Sequence, residues 1–233
     1  MTHVVLGGLE FELRRSDRRR TMEIVVDRQG ELRFFAPEDC DSDEMEAFVV
    51  EKRPWIYEKL AEKERLNPPR RPPEYVTGEG FFYLGRSHRL QLVEDDSQEV
   101  PLKLLNGRFH LRRGDAQGGS RAFTRWYTER GESWLPRRAE PFLARLDLPG
   151  NRVRVMDLGY RWGSCSEDGT VNIHWASMKL PPSVVDYVLV HELAHVRIHD
   201  HSSAFWRLVE RVLPDYKDRK QWLAENGAAL VRM

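Results

Sequence analysis

Apolar and polar residues alternate through VVLGG, FELRR and TMEIVVDRQGELRFFAP at the start of the chain, the period-two pattern of short paired strands. Asp27-Arg28-Gln29-Gly30 interrupts the last of these and predicts a hairpin turn with Gly30 in the left-handed region. After Pro37 the period changes: DSDEMEAFVVEKRPWIYEKLAEKERL opens acidic and repeats apolar residues at helical spacing, with Pro54 expected to kink or divide the helix. Asn67 to Pro73, NPPRRPP, reads as a stiff connector. Strand patterning returns in FFYLGRSHRLQLVED and VPLKLLNGRFHLRR, where Asn106-Gly107 is the strongest hairpin signal in the chain.

From about Arg121 to Leu146, aromatics and leucines recur at helical spacing, with Pro136 and Pro141 expected to limit continuity. RVRVMDLGYRWGSCSEDGTVNIHWASMKLP reads as two strand-like runs around Glu167-Asp168-Gly169. The helix SVVDYVLVHELAHVRIH follows, with Ser183 as N-cap and Asp186 at the reciprocal capping position. The final segment is helical on both sides of Pro214, and no stretch of sequence repeats another. These elements predict an α+β protein: a β-rich part over 1–118 with one long helical segment, then a second part over 119–233 built around the helix SVVDYVLVHELAHVRIH.

A chain of 233 residues can bury a core without metal or disulfide staples, so size alone does not demand a metal. Lys+Arg and Asp+Glu number 37 each, which removes a whole-chain basic footprint for nucleic acid and leaves only local runs such as Arg14 to Arg20. No apolar run reaches the roughly 18 residues of a membrane span, and the first residues lack a secretory layout. Cys40 and Cys165 are the only cysteines and form no C-x-x-C pair. The expectation is a cytoplasmic protein with no membrane partner.

His191-Glu192-Leu193-Ala194-His195 is H-E-x-x-H on the best-defined helix. Four residues advance a helix by just over one turn, so the two imidazoles share a face about 6 Å apart along the axis, a spacing that suits one tetrahedral zinc. Glu192 then sits beside the metal, placed to take a proton from metal-bound water as general base and return it to the leaving group. Three ionisable groups in an otherwise apolar helix are costly to bury without such a partner. For a third ligand the spacing leaves three candidates. His201 matches the metzincin interval, although Ile198 stands where that pattern has Gly and no methionine follows before Met233. His199 drifts about 80° around the helix from His191, and Glu210 lies on the next helix.

Arg161-Trp162-Gly163-Ser164-Cys165-Ser166, the strand Val171-Asn172-Ile173-His174-Trp175, Asp186-Tyr187-Val188 leading into HELAH, and His201-Ser202-x-x-Phe205-Trp206 before Pro214-Asp215-Tyr216 together resemble the YgjP-like metallopeptidases, relatives of the SprT-like and WLM zinc proteases. The specific part covers about the last third of the chain; Tyr83-Leu84-Gly85-Arg86 resembles the family more loosely. The resemblance implies a zincin-like metallohydrolase part around an active-site helix, one zinc per chain held by His191, His195 and His201, and Glu192 as catalytic base. It disfavours Glu210. His174 stands where the family often has Asn, and a strand histidine there is expected at the surface. Arg161 and Tyr160 are candidate donors to a developing oxyanion. Cys165 is expected to be a small buried residue, and Asp200 either orients a ligand histidine or caps a helix.

Three functions compete. A zinc peptidase acting on a peptide or protein leads, with the strand ending near Trp175 as a place for an extended substrate. A metal-dependent hydrolase of nucleotide phosphoanhydrides is second: 30 of the 37 basic residues are arginine, including Arg70, Arg71 and Arg161. A non-catalytic zinc module that recruits a partner or nucleic acid is third, opposed by the absence of a fourth protein ligand.

Overall fold

The computed structural model describes residues 2–27, 30–66, 72–150, 152–159 and 161–231. The chain forms two compact units, Met1–Arg70 and Arg71–Met233. The division therefore falls in the proline-rich connector and not at 118/119. The reason is the core: Phe81, Leu90, Phe109 and Leu111 of the second group of strands are buried with the helices that follow them.

In the first unit, β1 (Thr2–Leu6), β2 (Leu9–Ser16), β3 (Glu23–Val26) and β4 (Leu32–Pro37) form a sheet of order β1-β2-β4-β3, followed by α1 (Ser42–Leu66). Strands β2 and β4 run parallel, with Leu13 opposite Phe34. Phe11, Phe34, Ala36, Met45, Val49 and Ile56 make the core. Gly30 has φ 90°, as its turn demands; Arg28 and Gln29 lie outside the described residues. Helix α1 runs through Pro54 without dividing, because packing of Val49 and Ile56 on either side outweighs one missing backbone hydrogen bond. The basic run is largely engaged internally: Arg14 pairs with Glu12, Arg15 donates to the Pro37, Glu38 and Cys40 carbonyls, and Arg19 pairs with Glu23.

The second unit begins with the same plan. Strands β5 (Gly80–Tyr83), β6 (Arg86–Val93), β7 (Leu102–Leu105) and β8 (Arg108–Arg112) have the order β5-β6-β8-β7, with β6 and β8 parallel and Leu90 opposite Phe109. A long helix follows, α2 (Gly119–Leu146). The chain thus contains a repeat of topology that its residues do not announce. Tight two-residue turns join the first hairpin of each sheet, Gly7-Gly8 and Leu84-Gly85, all with positive φ. Asn106 and Gly107 adopt the predicted left-handed pair at 49° and 75°.

Helix α2 also runs through its prolines, 136 and 141. Phe123 stacks on Phe81 at 4.1 Å, and further along Gly131 approaches so closely that a Cβ there would lie 2.8 Å from Val155. Val155 belongs to β9 (Val153–Met156), which with β10 (Gly163–Cys165) and β11 (Val171–His174) forms a sheet of order β10-β11-β9. The two expected strand-like runs are therefore three strands, with Gly169 (φ 77°) in the turn that joins β10 to β11. A 3-10 turn, Trp175–Lys179, leads to α3 (Pro182–His195), α4 (Ser203–Val212) and α5 (Tyr216–Val231).

Candidate metal centre

Helix α3 is buried at every position from Val184 to Val190, as a run that is apolar apart from Asp186 requires. It starts at Pro182, whose fixed φ suits a first helical residue, so Ser183 falls inside the helix and makes no cap. Asp186 is not a capping residue either. It accepts a two-pronged ion pair from Arg138 of α2 at 2.6 and 2.7 Å, with Arg219 of α5 at 3.6 Å, which ties three helices at the base of the site.

The polar end of α3 carries His191, Glu192 and His195. The helix stops at His195, and backbone bonds from Arg197 and Ile198 back to the Ala194 carbonyl curl the chain round. That turn brings His201 back to the two helical histidines. Nε2 of His201 lies 3.1 Å from Nε2 of His191 and 3.2 Å from Nε2 of His195. Ligand nitrogens about 2.0–2.1 Å from a tetrahedral centre stand about 3.4 Å apart, so the three imidazoles have the spacing of a common metal. Nδ1 of His195 donates to the Ile198 carbonyl at 2.9 Å, which leaves its Nε2 lone pair bare. Burial, followed by the neighbouring histidines, lowers the pKa of His191 to about 3 and keeps its ring neutral. At these separations the Nε2 atoms either share a proton between rings or, all deprotonated, hold a cation among them, and three imidazole nitrogens at this spacing are a donor set that fits a divalent ion.

Glu192 is buried at 8% exposure, and burial raises its carboxyl to about 7, against the pull of Arg161. Its carboxylate lies under β10: a Cβ on Gly163 would sit 2.5 Å from Glu192 Cγ. Arg161, Gly163, Ser164 and Cys165 form one wall of a cavity of about 320 Å³, and His191, Glu192, His195, His199 and His201 line the rest. Strand β10 pairs only with β11 among the described residues, so its other edge is unpaired. β11, by contrast, is held on both sides, and its expected pairing with a substrate is sterically closed.

A model of the YgjP-like metallopeptidase domain matches residues 20–226. The chain belongs to the YgjP-like family. The crystal structure of the metallopeptidase zymogen of Pyrococcus abyssi abylysin is 30% identical, covering 37% of this chain and 88% of that one with a TM-score of 0.35. A search of curated proteins gave no match. Membership carries a metallopeptidase-type function and, with it, a metal cofactor.

In this YgjP-like chain the other sequence candidates fall into place. His199 lines the cavity but lies outside the three-histidine cluster, since the helix that would have carried it has ended. Glu210 pairs with Lys217 at 3.8 Å. Asp200 stands two residues before the Ser202 N-cap of α4, and hydrogen bonds from the Ser202 hydroxyl and then from its backbone N–H hold its carboxyl below the ordinary value. His174 is not at the surface: at 2% exposure its Nδ1 accepts the Ala176 N–H while Nε2 faces Asp157 at 3.3 Å. Cys165 is half-buried on the cavity wall, its thiol pushed up by burial and by Glu192. Tyr160 lies outside the described residues. Gly163 was not singled out for itself, although a glycine inside a strand marks close approach of something to the backbone.

Proposed function

We propose that the protein is a zinc-dependent peptidase in which His191, His195 and His201 hold one zinc through Nε2 and Glu192 is the general base. The observation that carries this reading is the convergence of three imidazole nitrogens beside a buried carboxylate under an unpaired strand edge. Zinc, when bound, supplies a Lewis acid for the scissile carbonyl and makes water acidic near neutrality. Glu192, with a carboxyl near 7, is matched to accept a proton at its carboxylate oxygen and hand it to the leaving amine. Arg161 faces the cavity as a fixed cation for charge that develops on the carbonyl oxygen. The open edge of β10 offers backbone N–H and C=O groups to an extended peptide, which favours peptide or protein substrates.

Both thiols are free, which suits the reducing cytoplasm, and no described helix is long and apolar enough to cross a membrane. The test is Glu192→Gln, expected to retain one zinc per chain and to lose peptide hydrolysis by several orders of magnitude. Wild-type turnover in that variant would remove the general base from the proposal. A second reading, hydrolysis of phosphoanhydrides, draws on Arg161 in the cavity wall, since guanidinium suits phosphate oxygens. Assay of nucleoside triphosphates beside casein-type substrates separates the two.

A further inference from the structure

Metal-bound imidazoles are ordinarily held by a hydrogen bond from the second ring nitrogen to a carboxylate or carbonyl. Among the described residues only His195 has one, to the Ile198 carbonyl. Nδ1 of His191 is buried without a hydrogen-bond partner, and no carboxylate hydrogen-bonds any of the three rings among the described residues. Something else must fix the ring planes. Two consecutive residues of α4 are in place to do so. Phe205, fully buried, stacks on His195 at 4.5 Å with 27° between the planes, and presents its edge to His191 and His201, both at 5.0 Å. Trp206, half-buried, stacks on His201 at 5.7 Å and 28° and touches His191 at 5.8 Å. Trp206 is itself backed by Tyr216, stacked at 5.4 Å, and by Lys220, whose Nζ lies 4.3 Å from the indole centroid.

We propose that Phe205 and Trp206 are positioning residues of the metal site, an aromatic seat that sets the ring planes of His195 and His201, adding to the single carbonyl acceptor at His195 and taking the place of one at His201. The inference rests on the reading of the three histidines as metal ligands. Its physical basis is that stacked rings resist tilting, whereas His201, exposed and hydrogen-bonded among the described residues only through Nε2 to the other two imidazoles, has no acceptor at its second ring nitrogen to fix its plane. His201 depends on the seat most, because it is exposed and sits in a turn, outside the helix. Preorganised rings lose less freedom when a metal binds, so the seat acts on affinity and on coordination geometry.

The experiment is zinc affinity by competition with a chromophoric chelator, with the visible spectrum of the cobalt-substituted protein as a second readout, for the full-length wild type, Phe205→Leu, Trp206→Leu and Trp206→Phe. Both leucine variants should bind zinc about tenfold or more weakly, the range seen when outer-shell partners of a metal ligand are removed. Their cobalt bands should broaden, and Trp206→Phe should retain wild-type affinity because a flat ring remains. Leucine variants with wild-type affinity and an unchanged cobalt spectrum would overturn the seat. Should Phe205→Leu fail to fold, as a core position can, the half-buried Trp206 pair decides alone. A wild type that takes up no zinc is a different result: it removes the metal site, and the seat with it.

Discussion

Helix α1 packs on one core and buries Met45, Val49 and Ile56 along a single stripe, leaving Val50, Trp55 and Tyr57 between 40% and 52% exposed. Helix α2 follows strands of the same order and pairing, yet buries Phe123, Trp126, Tyr127, Gly131, Leu135, Ala139, Phe142 and Leu146 along its whole length. The first half of α2 covers its own sheet, through Phe123 on Phe81 and the Tyr127 hydroxyl donating to the Phe82 carbonyl at 2.5 Å. Its second half faces β9 and the base of α3, through Gly131 against Val155 and Arg138 against Asp186. The same four-strand and helix plan thus encloses a core of its own in one case and supplies the supporting wall of a metal centre in the other. What separates them is the helix surface, because a helix that covers first one sheet and then another of one continuous core must be apolar along its whole length.

The largest effect that tests this contrast is loss of a buried ring from α2. Phe123→Ala should cost about 3–5 kcal/mol and lower the denaturant concentration at which metal is released, since its core is continuous with that of the site. Ile56→Ala, equally buried in α1, should cost about 2–5 kcal/mol of the first unit's stability and leave zinc affinity unchanged. Denaturation followed by zinc release, with the two variants side by side, reads both. Equal damage to zinc retention from Ile56→Ala would show that the two helices do not differ in the way described.

How much of this was legible in the residues follows the range of the interactions. H-E-x-x-H, the left-handed glycine at 30 and the Asn106-Gly107 turn depend on neighbours in sequence, and local rules reach them. The duplicated topology is not local: the equivalent hairpin turns are Gly-Gly and Leu-Gly, and Leu84 adopts φ 45° because its N–H bonds the Met178 carbonyl. That α1 and α2 continue past prolines 54, 136 and 141 is non-local for the same reason, since tertiary packing of the flanking turns outweighs a lost backbone bond. Asp186 carries the spacing of a capping residue, but Arg138 and Arg219 lie 48 and 33 positions away and no periodicity reveals them. The site's histidines could be named from spacing and resemblance; the strand lying against Glu192 could not, because the place of β10 at a sheet edge is a property of the fold.

Glycines placed against helices in the two units sharpen the contrast further. Gly7→Ala puts a Cβ 2.8 Å from Val49 Cγ1 at a φ of 56° and should cost about 1–3 kcal/mol of stability in the first unit, with kcat unchanged. Gly163→Ala puts a Cβ 2.5 Å from Glu192 Cγ and must push the carboxylate aside. Displacement of a reacting group by about 1 Å costs on the order of 100-fold, so kcat for peptide hydrolysis should fall by about that factor while zinc content stays at one per chain. Loss of zinc, or no change in kcat, in Gly163→Ala would mean that the strand does not position Glu192.

A buried charge in each unit extends the contrast to pH. Asp27, at 4% exposure in the first unit, faces Arg33 at 3.4 Å. Lys179, equally buried in the second, has its Nζ 5.1 Å from the Trp175 ring centroid and 5.6 Å from that of Tyr127, and burial lowers its pKa from 10.5 to about 7. The direction of the pH effect follows. Between about 7 and 10.5 the unfolded chain holds a proton at this position that the folded chain has released, so stability rises with pH across that window; below it both states are protonated and the full cost of burying the ammonium remains. Lys179→Met should flatten that slope in denaturant titrations of the second unit, and a mutation of Arg33 in the first unit should leave it as it was. If the slope survives Lys179→Met, the proton lost on folding belongs to another group, and Lys179 is charged in the folded protein and held by its two aromatic faces.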